Sequence, residues 1–154
     1  MAESKFKYQK QINEMIALGC QMPTLYAPNN MSACRFAFSD TSRQNHIPQY
    51  IAHPKRLLQD ISHGKATMSL IALSCFATPS KAELFYSNLQ KAFKNISTSI
   101  GDSLSEGTLS NTDGKKTETA ENGHFDFYEY KGCELNISFK ITKQLMCDEK
   151  DKGI

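Results

Sequence analysis

The sequence predicts an α+β fold: a mainly antiparallel sheet of four to five strands, with about three helices packed on it and a C-terminal β-hairpin. Three observations carry that expectation. Behind Thr78-Pro79-Ser80, apolar residues recur at helical spacing as far as Ile96. Residues 68–76 form a nearly continuous apolar run, the composition of a strand covered on both faces. Residues 134–142 alternate apolar and polar side chains, and Lys131-Gly132-Cys133 separates them from an aromatic-rich run at 124–130.

The elements follow in order. Residues 3–18 read as a helix, because Tyr8, Ile12, Met15 and Ile16 share a stripe while Lys5, Lys7, Lys10 and Glu14 stay polar; Gly19 suits a left-handed cap. Pro23, Pro28 and Asn29-Asn30 make 21–32 a loop. Residues 33–38 alternate Cys34, Phe36 and Phe38 against Arg35 and Ala37, a short strand with Arg35 on its second face. Pro48 confines any strand in 46–53 to a sheet edge. Pro54 fits the first position of a helix ending near Ser62, with Leu57, Leu58 and Ile61 inward. Met68–Phe76 is the expected central strand. Ser80 and Glu83 have the spacing of a capping box, and Phe85, Leu89, Phe93 and Ile96 form the expected buried stripe of the helix that follows. A short strand is expected around 103–108. Residues 110–123 hold one aliphatic residue, Ala120, and read as a mobile loop, while 146–154 reads as a charged, frayed tail.

A three-residue loop at 131–133 sets Phe127 against Ile137, Phe125 against Phe139 and Glu129 against Leu135, so that both apolar rows coincide. The same register lines up His124, Asp126, Tyr128 and Tyr130 with Lys140 and its neighbours on a polar face, where Asp126 can orient His124. Those five residues are the expected binding surface. Glu129 falls on the phenylalanine side near the turn, at an expected solvent-exposed rim.

Composition narrows the function classes. The 154 residues fit one domain, 1–154, able to bury about 70% of the surface of the unfolded chain. A net charge of +2 from dispersed basic and acidic residues gives no basic face for nucleic acid. Five widely spaced cysteines without a C-x-x-C pair argue against a disulfide framework or a zinc site, and neither a leader-like apolar segment nor a membrane-length run occurs. A reducing cytoplasm is the expected address. His46, His53 and His63 with Asp60 lack metal-ligand spacing, so no metal is expected. Phosphate-cradling glycine motifs and the G-x-S-x-G elbow are absent, so no cofactor is expected either.

One arrangement sustains an enzyme alternative. Arg35 on an early strand, Ser74 near the end of an apolar strand that feeds a helix, and Glu129 on a late strand resemble the Arg, Ser or Tyr, Glu layout of ADP-ribosyltransferases. The resemblance implies that Arg35 and Ser74 bind NAD and that Glu129 promotes transfer. Ser97-Thr98-Ser99 is a second match to the serine motif, but at a helix end, and no Glu-x-Glu or Gln-x-Glu follows it. Without a catalytic motif, the leading expectation is a small intracellular binding or accessory protein. It would act through a macromolecular partner, expected to be a protein, or through a small ligand, with homo-oligomerisation through a sheet edge as a further reading.

Overall fold

Most strand-forming segments find partners far away in sequence. In the computed structural model, which describes residues 5–40 and 42–145, one antiparallel sheet has the order β4-β5-β2-β1-β3-β6. Its strands are β1 (Met31–Ala37), β2 (Leu73–Phe76), β3 (Ser103–Leu109), β4 (Gly114–Lys116), β5 (His124–Glu129) and β6 (Lys140–Gln144). The helices among the described residues are α1 (Gln9–Ala17), α2 (Gln49–Ala52), α3 (Pro54–Ser62), α4 (Pro79–Ala92), α5 (Ile96–Ser99) and α6 (Leu135–Ser138). The α+β class stands, with six strands and six helices in place of four to five and three. The residues of the expected tail at 146–154 lie outside the described residues.

The expected C-terminal hairpin does not form. β5 pairs with β2 and β4, whereas β6 pairs with β3 at the other end of the sheet. Residues 135–138 turn helically, which puts Leu135 and Phe139, four apart, into the same buried cluster and leaves Ile137 70% exposed. Gly107 on β3 is the matching surface: a Cβ there would overlap the Phe139 ring. Phe125 and Phe127 nonetheless enter the core, on the same cluster as Leu73, Cys75 and Leu109. Residues 110–123 contain β4, whose Lys116 pairs with Phe127.

Both sheet faces are covered, as the apolar character of β2 requires. Because directly opposed residues share a face, Cys34 and Phe76 lie together, and they meet Ala82 of α4 and Leu104 of β3. Leu73, Cys75, Phe125 and Phe127 alternate to the other face, where α6 closes over them. A third cluster joins Ile12 and Met15 of α1 to Tyr50 of α2, Ile71 and Tyr128.

Local details differ where two signals compete. Thr78, not Ser80, caps α4: its hydroxyl accepts from the Lys81 amide at 3.2 Å, and Pro79 takes the first helical position. Glu83 is thereby free to meet Lys143 of β6 at 2.7 Å. The rotated helix buries Ala82 and Tyr86 rather than Phe93, and Leu89 is half-buried. Pro48 precedes α2 instead of an edge strand, and the first half of 68–76 is a 3-10 turn at Met68–Ile71. In α3, Leu58 is 66% exposed.

Phe127→Ala is expected to cost about 3–5 kcal/mol of unfolding free energy, since a fully buried ring leaves a cavity. Leu58→Ala is expected to stay within about 0.5 kcal/mol of the parent. Urea unfolding of the two variants checks both, and equal losses would contradict this orientation of α3.

Candidate functional site: a polar cleft where two strands part

β1 and β3 pair at seven positions, but β1 and β2 share the single register Cys34↔Phe76. Beyond it the strands separate, and the Arg35 side chain occupies the gap. Its Nη1 donates to the Ser74 carbonyl, and its Nε donates to Nδ1 of His46 at 2.9 Å. The guanidinium supplies this strand carbonyl with a donor that the neighbouring strand does not.

The loop after β1 holds His46 in place. Asn45 grips the Phe38 backbone twice, its Oδ1 accepting from the amide at 2.8 Å and its Nδ2 donating to the carbonyl at 3.1 Å. His46 then takes a left-handed φ of 62°, unusual for a residue with a side chain. Its ring packs edge-on against Phe139, with centroids 5.7 Å apart. Burial, reinforced by the Arg35 charge, lowers its pKa to about 3. The imidazole is therefore neutral at pH 7, and because Nδ1 accepts from Arg35 the proton resides on Nε2.

On the β5 side, Ser74 and Asp126 oppose each other and His124 stands two residues along the same face. Nε2 of His124 lies 2.7 Å from Oγ of Ser74 and 3.6 Å from Oδ1 of Asp126. The imidazole edge rests on Phe76, with centroids 5.4 Å apart. Burial raises the Asp126 carboxyl above its ordinary range, against the opposing influence of His124. Hydroxyl and carboxylate thus address one ring nitrogen, unlike a relay in which the carboxylate holds the far nitrogen. These groups line a cleft of about 370 Å³, whose apolar walls include Phe36, Phe38, Phe85 and Leu89.

Of the residues singled out from sequence, Arg35, Ser74, His124 and Asp126 line this cleft. Glu129 does not. It points to the opposite face of β5, and it is buried at 4% exposure rather than placed at an exposed rim. Lys7 Nζ reaches its Oε2 at 3.0 Å and also the Cys133 carbonyl at 2.6 Å, while Oε1 has no hydrogen-bond partner among the described residues. Burial raises the Glu129 pKa, with Lys7 and Arg35 pulling the other way. Burial disfavours the Lys7 ammonium most strongly of the single influences, but the hydrogen bond and charge of Glu129, with smaller help from Tyr8 and Cys133, together keep its pKa above the usual value.

The rest of the expected binding surface disperses. Tyr128 is buried with its hydroxyl 3.4 Å from the Met68 carbonyl, Tyr130 leans on Phe6 at a centroid distance of 5.3 Å, and Lys140 is exposed on the far edge strand. His46 joins the cleft rather than His53 and His63, a placement that depends on loop closure and has no local signature. Cys75 is fully buried, and desolvation pushes its thiol up to about 11, which makes it a core residue rather than a nucleophile. Among the described residues, no group of three or more His, Cys, Asp or Glu could hold a metal ion, and no helix is long and apolar enough to cross a membrane. No family model, no curated protein and no solved structure matches this chain.

Two outcomes follow from the buried charges. A base whose pKa is lowered on folding stabilises fully above its unfolded value, so the His46 contribution is lost as pH falls from 6.5 towards 3. His46→Asn, which tolerates the left-handed backbone, is expected to lose less stability than the parent between pH 7 and pH 4. Urea melts across that range test this, and parallel curves would contradict it. Lys7→Met is expected to cost roughly 2 kcal/mol at pH 7, the low end for a broken buried pair because the Lys7 side chain is 27% exposed. The deficit should shrink as acid protonates Glu129, and adding Glu129→Gln should recover most of it; a deficit that neither changes would contradict the pairing.

Proposed function

We propose that this protein binds a small ligand in the cleft between β1 and β2, one with an anionic head and an apolar body about the size of an aromatic ring system. The convergence of Arg35, His46, Ser74, His124 and Asp126 on one cleft, opposite phenylalanine and leucine walls, carries this reading. A few oriented polar groups in a mostly apolar concavity are what a ligand site needs, and about 370 Å³ suits a compact molecule. The head belongs at the Arg35 and His46 end, where a permanent cation stands beside a neutral imidazole.

An NAD-using, ADP-ribosyltransferase-like enzyme has less support from this arrangement. That reading asks Glu129 to share the cleft with Arg35 and Ser74, whereas its carboxylate meets Lys7 on the other side of β5.

A suitable probe is 2-naphthoate, which combines a carboxylate with a fused aromatic body. Titration followed by amide NMR is expected to give saturable shifts at Arg35, His46, Ser74 and His124. The shifts should disappear in Arg35→Ala and also in Leu89→Trp, which adds bulk to the α4 wall without touching the polar end. Binding elsewhere, or none at millimolar probe, would overturn the proposal. NAD in a parallel titration tests the alternative.

A further inference from the structure

We infer that the cleft is also a site of ester hydrolysis, with Ser74 as nucleophile and His124 as its general base, on small esters whose acyl part fills the apolar walls; this rests on the ligand-binding reading. A serine hydroxyl becomes a competent nucleophile when a base stands within hydrogen-bond reach, and Oγ of Ser74 lies 2.7 Å from Nε2 of His124 in a position open to the cleft. The pair sits on a rigid scaffold: Ser74 on β2, His124 on the adjacent strand, and the imidazole held edge-on against the buried Phe76 ring.

Two charged groups stand beside the pair. The Arg35 guanidinium donates to the main-chain carbonyl of Ser74, which holds a cation beside the residue that carries the nucleophile. Oδ1 of Asp126 stands 3.6 Å from the nitrogen that would receive the proton, so it stabilises the imidazolium once formed. Asp126 is thus a positioning residue, acting through His124.

The chemistry balances without any other reactant than water. Oγ of Ser74 adds to the ester carbonyl carbon while its proton passes to Nε2 of His124. The bond to the alcohol oxygen breaks, and the imidazolium returns the proton to that oxygen. Water then adds to the acyl-serine, again giving a proton to His124, and collapse releases the carboxylic acid and restores the hydroxyl. Arg35 and His46, proposed above to take an anionic head, are then suited to the carboxylate product.

The test uses the whole chain with a fluorophosphonate and with 4-nitrophenyl butyrate. Intact mass is expected to show a single phosphonyl adduct, mapped by peptide analysis of the unaltered protein to Ser74. Labelling and ester turnover should vanish in Ser74→Ala and fall by at least about 100-fold in His124→Gln. Asp126→Asn should lower kcat by a larger factor than it changes KM, a split that a purely structural role would not produce. Absence of a Ser74 adduct, or turnover that survives Ser74→Ala, would overturn the hydrolase inference. In that case retained 2-naphthoate binding would leave a binding cleft alone, whereas its loss would remove the ligand reading as well. Mapping the adduct in the unaltered chain keeps the outcome independent of whether any variant folds.

Discussion

The arrangement depends on one substitution of hydrogen-bond partners: beyond Cys34↔Phe76, the ladder between β1 and β2 is replaced by the side chain of Arg35. Where two strands part, their peptide groups need partners other than each other, and Arg35 is one for the Ser74 carbonyl. A guanidinium can do this because it carries several donors in a rigid plane and keeps its charge in any accessible pH range. With Arg35 between the strands, the gap becomes a stable cleft. The loop after β1 turns back over it, pinned by Asn45 on Phe38, and delivers His46 as a second partner for the same guanidinium.

Strand alternation then divides the ionisable residues of β5 between two environments. His124 and Asp126 face the cleft with Ser74, half-exposed and in mutual contact. Glu129, three residues from Asp126, falls on the other face and is buried against Lys7. Main-chain bonds run beside that pair: the Lys7 amide donates to the Glu129 carbonyl at 2.8 Å, and the Lys131 amide to the Lys5 carbonyl at 2.8 Å. The Lys7 and Glu129 pair therefore ties the N-terminal segment to the end of β5. A partly desolvated ion pair contributes little net stability by itself, but its disruption strands a charge, which ties the N-terminal segment to one position.

Some of this was legible from local pattern. Met15 and Ile12 mark the inner stripe of α1, the alternation at 33–38 marks β1, and Pro54 marks the start of α3, because each signal needs only a few consecutive residues. The failures arise where one pattern serves two structures. Leu135, Ile137 and Phe139 alternate as a strand would, yet Leu135 and Phe139 are also i and i+4, and a cluster that includes Phe127 and Leu109 selects the helical solution. Thr78 and Ser80 are both acceptable caps, and the register of α4 on Phe76 and Leu104 settles the choice. For the site, Arg35, Ser74, His124 and Asp126 were identifiable as residue types, but their convergence was not, since the contacts span up to 50 positions in sequence.

By itself, the sequence determined the fold class, the main helices, the apolar strands at the middle of the sheet and the alternation that places His124 and Asp126 on one face of β5. These follow from short-range sterics and the period of hydrophobic residues, which act within a few positions. Only the tertiary structure decided that β1 and β2 part, that Arg35 and His46 fill the opening, and that Glu129 is buried with Lys7 rather than left at an exposed rim. The reason is that strand pairing and burial are chosen by competition among whole surfaces. A residue's chemical role is then set by which distant backbone or side chain satisfies it, a relation no local stretch of sequence contains.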